Sequence, residues 1–323
     1  MKRLFKALGL LLVLLALVAL VAGGALALSW APDRPVDTLT ARWAPPPSTF
    51  ITVEGMQVHV RDEGPRDDLE PIVLLHGTAA SLHTWEGWVA QLKGEHRVIT
   101  LDLPGFGLTG PGMDRNYALP RYSQFMAAFF DAMKLQRVTL VGNSLGGAVA
   151  WKTAVDFPER VSRLVLIDSA GYPSQATSVP MGFKLAANPD LAWFTSRFLP
   201  RSTIESSVKN VYGHVDRVTP EVVDRYYEMA LREGNRQALR DRFAQMKGGE
   251  LAQQIKRVGQ PTLILWGGKD QLIPPSVAQQ FVADIDGSQI VTFDDLGHVP
   301  QEEDPVRTVG PFKIFLGNTL NQN

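Results

Sequence analysis

Apolar residues along this chain follow two rhythms. Short β-branched and aliphatic runs, each closed by glycine or polar residues, occupy 72–75, 97–101, 138–141, 163–167, 262–266 and 290–293. Runs of that length and composition predict strands. Between them lie stretches with helical patterning at 82–92, 122–133, 146–156, 275–283 and 305–316. Alternation of the two predicts an α/β fold. Its mostly parallel, doubly wound sheet carries helices on both faces and is built by right-handed crossovers. Two further strands, 50–53 and 56–61, flank Glu54-Gly55 and predict an antiparallel hairpin at one edge. In such sheets a site forms at the carboxyl ends of the strands.

One interval breaks the rhythm. From 172 to 253 no good strand occurs; helical runs at 204–212, 221–232 and 236–246 are punctuated by Pro180, Pro189, Pro200 and Pro220. Aromatic residues recur there, among them Phe183, Trp193, Phe194, Phe198, Tyr226 and Phe243. This reads as a helical cap, 172–253, inserted between two parts of the core, 50–171 and 254–323. Residues 29–49, ending in Pro45-Pro46-Pro47, read as an extended linker that packs on the body.

The N-terminus has its own pattern. Lys2, Arg3 and Lys6 precede 22 uncharged residues, Ala7 to Leu28. As a helix that stretch is about 33 Å long, enough to cross a hydrocarbon core of about 30 Å. Residues 1–28 therefore read as an uncleaved membrane anchor; the alternative is a secretory signal cut near Ala27. A buried core helix fits poorly, because the run lacks a polar face. The three cations place the body on the non-cytoplasmic side, periplasmic or extracellular.

Composition narrows the picture little. The 323 residues are 45% hydrophobic and 20% charged, with a formal net charge of −1. No basic field of the kind nucleic-acid binding needs is present. The absence of cysteine rules out disulfides, thiolate nucleophiles and cysteine-ligated metals.

The chemistry concentrates at Gly142-Asn143-Ser144-Leu145-Gly146, between the 138–141 strand and the 146–156 helix. A Gly-x-Ser-x-Gly segment in a strand–turn–helix setting reads as a nucleophile elbow, whose small flanking residues let strand and helix close around a serine. Its bland alternative is an ordinary turn with a capping serine. A serine hydroxyl needs a base. Of six histidines, His298 follows the last strand on a loop expected at the same sheet edge as Ser144. The base needs an orienting acid. Asp270, just past the 262–266 strand, is placed ahead of Asp168, which ends the 163–167 strand. An oxyanion requires donors: the backbone N–H groups of Leu145 and Thr78 are the candidates. His76 is read as structural, tying down the Thr78 loop, and Asp102 as a loop anchor. Trp85, Trp88 and Trp151 read as packing. No metal-ligand spacing occurs, nor any Gly-x-Gly-x-x-Gly at a βα turn, so neither a metal nor a cofactor is expected.

Five segments in order resemble the α/β-hydrolase superfamily: Leu75-His76-Gly77, Asp102-Leu103-Pro104-Gly105-Phe106-Gly107, Gly142-Asn143-Ser144-Leu145-Gly146-Gly147, Trp266-Gly267-Gly268-Lys269-Asp270 and Gly297-His298-Val299-Pro300. The order Ser, Asp, His is that superfamily's, and the cap position matches its lidded members. The resemblance implies a serine hydrolase acting on a carboxylic ester through Ser144, His298 and Asp270. Dehalogenases and epoxide hydrolases of this fold carry aspartate at the elbow, where this chain has Ser144. The lipase-type His-Gly-Gly-Gly loop is absent. Carbon–carbon hydrolases share the Gly-Asn-Ser elbow but typically have tryptophan after the histidine, where this chain has Val299. Carbon–carbon hydrolysis and cofactor-free perhydrolysis are the alternatives; a non-catalytic binding module is a third. The expected partners are a small ester with an apolar part and, through the N-terminal helix, a membrane.

Overall fold

The computed structural model describes residues 2–246 and 248–320; Met1, Lys247 and 321–323, at the ends of the expected anchor and second core part and within the cap, lie outside them. The side chains of Lys2 and Arg3, on which the expected orientation rests, are also outside the described set.

Helix α1 (Lys2–Leu28) is followed by a docked segment carrying α2 (Asp37–Trp43). The stretch expected to be extended is thus partly helical. Leu39 and Trp43 of α2 are buried against Leu108 and Met229, and that apolar contact gives seven residues a reason to coil. The hairpin comes next: β1 (Thr49–Val53) and β2 (Met56–Glu63). Glu54 and Gly55 both have positive φ, 49° and 80°, the tight turn whose twist matches the strands it joins.

The chain then alternates as β3 (Ile72–Leu75), α3 (Glu86–Leu92), β4 (Val98–Leu101), α4 (Leu119–Ala132), β5 (Val138–Asn143), α5 (Leu145–Asp156) and β6 (Val161–Ile167). Among the described residues, five α-helices follow before the sheet resumes: α6 (Met181–Ala186), α7 (Ala192–Thr195), α8 (Arg201–Val211), α9 (Pro220–Leu231) and α10 (Asn235–Gln245). The last part is β7 (Thr262–Gly267), α11 (Ser276–Asp284), β8 (Gln289–Phe293), α12 (Pro300–Glu303) and α13 (Pro305–Leu320).

The eight strands form one sheet in the order β1-β2-β4-β3-β5-β6-β7-β8. Strand β2 runs antiparallel to β1 and β4; every other pairing is parallel. Strands β3 to β7 are buried along their whole length, which is why they read as continuous apolar runs rather than alternating ones. Each face has its own core. One packs Phe125, Phe129, Trp151 and Phe281, and the other Trp85, Trp88, Phe312 and Phe315. All three tryptophans read as packing are therefore core residues.

Helices α6 to α10 lie over the carboxyl ends of the strands and roof a cavity of about 140 Å³. The segment after α1 is stitched to them. Ala31 N donates to Arg197 O at 2.9 Å, and Leu199 N donates to Ser29 O at 2.9 Å. Arg236 of α10 pairs with Asp33 and donates to Ala31 O. Residues Phe5–Leu28 of α1 form one helix long and apolar enough to span a bilayer, with none of its hydrophobic window buried in the body.

Candidate active site

The floor of the cavity begins at the β5–α5 junction. Ser144 has φ 55° and ψ −115°, a left-handed-side conformation that an L-residue adopts only when its surroundings hold it. Its amide donates to Ile167 O and its carbonyl accepts from Ala170 N, so the end of β6 and the loop after it clamp the turn from both sides. A Cβ at Gly142 would stand 2.1 Å from Gly146 O, and one at Gly146 would stand 2.2 Å from Leu75 O. Both small residues are thus required by backbone approach. Ser144 is 8% exposed, and Oγ makes no hydrogen bond to another described residue.

The structure places His298 and Asp270 together. Both are buried; the imidazole donates from Nδ1–H to Asp270 Oδ2 at 2.6 Å. Asp270 Oδ1 accepts from Leu272 N at 2.8 Å and Ile273 N at 3.0 Å, so the loop after β7 fixes the carboxylate. With its proton on Nδ1, the ring presents Nε2 as an acceptor. His298 and Ser144 line the same cavity.

Thr78 and Leu145 flank Ser144. Leu145 is the first residue of α5, whose opening N–H groups have no intrahelical partner. Neither Thr78 N nor Leu145 N is hydrogen-bonded within the described residues. Gly77 brings the Thr78 loop close: a Cβ there would meet Ser144 Cβ at 3.1 Å. His76 braces that loop. Its Nδ1–H donates to Gly77 O at 2.7 Å, and its Nε2 accepts from Leu103 N at 3.0 Å. Burial pushes the His76 imidazole below its usual range, against the pull of Asp102, and keeps the ring neutral for both bonds.

Asp168, the rival acid, lies beside the pair: ligating atoms of Asp168, Asp270 and His298 are all within 4.8 Å of one another. Gly267 N donates to Asp168 Oδ1 at 2.9 Å. This trio is a grouping that could hold a metal ion. However, the Nδ1 proton of His298 already occupies the direction toward Asp270, and a ring nitrogen that donates a proton offers no lone pair to a cation.

Two supporting residues escaped the sequence reading. Asn143 Nδ2 donates to His298 O at 2.9 Å and to Ile167 O at 3.2 Å, tying the elbow to the histidine loop. Glu303 accepts from Gly297 N at 2.9 Å, Gly213 N at 3.0 Å and His214 N at 2.6 Å, joining that loop to the cap. Asn143 stands next to the elbow serine, which was a usable signal. Glu303 is one of several acids near the C-terminus and carried none.

The cavity above these groups is mainly apolar, with Phe183, Phe194, Phe198, Ile204 and Val208 from the cap in its wall. Arg236 and Arg240 also reach it, but Arg236 is engaged by Asp33 and Ala31, and Arg240 by Gln237.

Comparison with known proteins follows the same outline. Residues 70–305 match the family model described as the alpha/beta hydrolase fold. The chain is 31% identical over 282 residues to a 2-hydroxy-6-oxo-2,4-heptadienoate hydrolase of Pseudomonas putida, covering 81% of this chain and 95% of that one. A meta-cleavage product hydrolase from Pseudomonas fluorescens superposes with a TM-score of 0.73 at 24% identity, over 84% of this chain and 98% of that one. A bacterial membrane phospholipase A superposes with a TM-score of 0.70 at 23% identity, over 99% of this chain and 100% of that one.

Proposed function

Because this chain belongs to the α/β-hydrolase family, we propose that it is a membrane-tethered serine hydrolase that cleaves a carboxylic ester with an apolar part. The observation that carries the reading is a hydroxyl on a strained turn and a carboxylate-bound imidazole in the wall of one apolar cavity.

In this reading Ser144 Oγ attacks the ester carbonyl carbon while its proton passes to His298 Nε2. Asp270 holds the ring and stabilises the imidazolium. The new oxyanion accepts from the N–H groups of Thr78 and Leu145, where each preorganised donor is worth about 3 kcal/mol of barrier. Collapse of the tetrahedral intermediate breaks the bond to the alcohol oxygen, which takes the proton from His298. Water repeats the sequence on the acyl-serine, releases the acid and restores the hydroxyl. No cofactor enters.

The length and apolarity of α1 support anchoring. The likeness to the membrane phospholipase A fold over 99% of the chain extends into the same N-terminal region. The body then sits on the non-cytoplasmic side. The segment leaving α1 pairs with 197–199, beside Phe198 and Leu199 of the cavity wall, so acyl chains held in a bilayer are the substrates closest to hand.

A second reading, hydrolysis of a carbon–carbon bond, draws on the 31% identity to the heptadienoate hydrolase. Against it, the cavity's two guanidinium groups are engaged by Asp33 and Gln237 and so are not set out for a substrate carboxylate. The test is turnover of p-nitrophenyl esters of increasing chain length and of a vinylogous diketone, by the full chain in detergent. Ester turnover should fall about 10⁴-fold or more in Ser144→Ala. Equal rates in the two proteins would remove Ser144 from the reaction; turnover of the diketone alone would favour the second reading.

A further inference from the structure

Behind the Asp270–His298 pair lies a carboxyl group whose hydrogen bonding is incomplete. Asp168 is fully buried. Its Oδ1 accepts from Gly267 N, but its Oδ2 is sealed from solvent and no N–H or O–H reaches it. The chain turns at this residue: Asp168 has φ 43°, in the left-handed region that aspartate enters more readily than most non-glycine residues. A buried carboxylate oxygen without a donor is costly, and two adjacent carboxylates do not both ionise. The neighbour is Asp270, whose charge His298 and two backbone amides already claim.

We propose that Asp168 is a positioning residue that carries a proton on Oδ2 and donates it as a hydrogen bond to the carboxylate of Asp270. One proton satisfies both sides: the sealed oxygen becomes a donor, and Asp270 gains a fourth hydrogen bond. Burial, followed by the negative charge of Asp270, raises the acid well above the ordinary carboxylate range, and the charge of Glu303 acts the same way. The charged or titratable groups facing it are Asp270 after β7, His298 after β8 and Glu303 of α12. The neutral acid adds no second negative charge beside the imidazole. It draws density from Asp270 and thereby limits how strongly the imidazolium is favoured. The proposal rests on reading Asp270 and His298 as the catalytic pair.

The test compares wild type, Asp168→Asn and Asp168→Ala as full-length protein in detergent, from acid to neutral pH. An asparagine oxygen can accept from Gly267 N while its NH₂ donates to Asp270, so it mimics the protonated acid. Asp168→Asn should therefore keep kcat/KM within about threefold of wild type and leave the acid limb of its pH profile in place. Asp168→Ala removes the donor; kcat/KM should drop roughly tenfold, and the acid limb should move to higher pH. If Asp168 were ionised, both variants would delete a negative charge near the imidazole, and the limb would move to lower pH in both. That outcome overturns the proposal. Should the alanine variant fail to fold, the asparagine variant alone decides by the same sign. A difference infrared spectrum of wild type against Asp168→Asn gives a second readout that needs no substrate. A protonated-carboxyl band at neutral pH is expected, and its absence also overturns the proposal. Loss of ester turnover in wild type, with that band present, would strike the ester reading and leave the proton in place.

Discussion

Two serine–histidine–aspartate groupings among the described residues invite comparison, and the one with Ser144 and His298 lines the apolar cavity. In the first, Ser48 Oγ lies 2.9 Å from His59 Nε2, and His59 Nδ1 lies 2.7 Å from Asp102 Oδ2. The second is Ser144, His298 and Asp270. The two differ in what is left over. Ser48 Oγ also accepts from Arg61 Nε, and Asp102 accepts from Leu82 N and Leu108 N as well as His59. Each of these polar side chains is bonded to its neighbours, and the set pins the segment after α2 to the sheet. Around Ser144 the hydroxyl, the Thr78 amide and the Leu145 amide have no partner among the described residues. Satisfied hydrogen bonds stabilise a fold, whereas groups held in place without partners are what a reacting substrate can use.

The sharpest way to break this comparison is to make the same change in both acids. Asp270→Asn should lower ester turnover about 10⁴-fold, since the amide favours the wrong imidazole tautomer. Its unfolding free energy should change by no more than about 1 kcal/mol. Asp102→Asn should do the reverse. It turns an NH₂ toward backbone donors in a buried site, and it should cost about 3–5 kcal/mol in urea unfolding. The residual folded protein should stay active per molecule. An Asp102 variant that is stable but inactive would mean the first arrangement is not merely structural.

Acid provides a smaller test. Burial lowers the His83 imidazole from 6.5 to about 3, and lowers His76 as well. His83 donates from Nε2 to Trp43 O at 2.8 Å, and its Nδ1 lies 2.9 Å from Ser81 Oγ, which donates to it while the buried ring is neutral. Because the folded value lies below the unfolded one, the unfolded chain binds more protons through that window. The contribution is fully present above about pH 6.5 and is lost as pH falls toward about 3, at up to about 1.4 kcal/mol per pH unit for each histidine. Chemical denaturation at several pH values would show it; a flat profile would mean that the rings protonate without penalty. Smallest of all, Ser48→Ala should cost about 1 kcal/mol and leave turnover unchanged.

How much of this could be read beforehand divides along the range of the interactions. All eight strands and the large core helices were legible, because buried parallel strands and amphipathic helices write their period into consecutive residues. The elbow was legible because its strand, turn and helix are consecutive and Gly142 is demanded by Gly146 four residues on, although Gly146 itself answers to the distant Leu75. The placement of Asp270 and His298 followed from chain order after recognised strands. The partly helical stretch around Leu39 was missed because its reason, contact with Leu108 and Met229, lies far along the chain. Asn143 and Glu303 were missed for the same cause. Asp168 was weighed as the orienting acid, yet its open oxygen depends on which donors fail to arrive, and no local pattern encodes that.

The stitching of residues 29–33 to the cap bears on where this protein can be cut. The matched family span, 70–305, invites an excised hydrolase piece, but that piece would omit Asp33 and Trp43. Arg236 would keep a buried guanidinium with its counter-ion deleted, and Glu228 would lose the indole N–H of Trp43. Trimming after Leu28 spares both. A fragment that keeps both contacts therefore starts some forty residues before the matched span, and an inert, aggregating truncation at residue 70 would report a missing buttress rather than a missing activity.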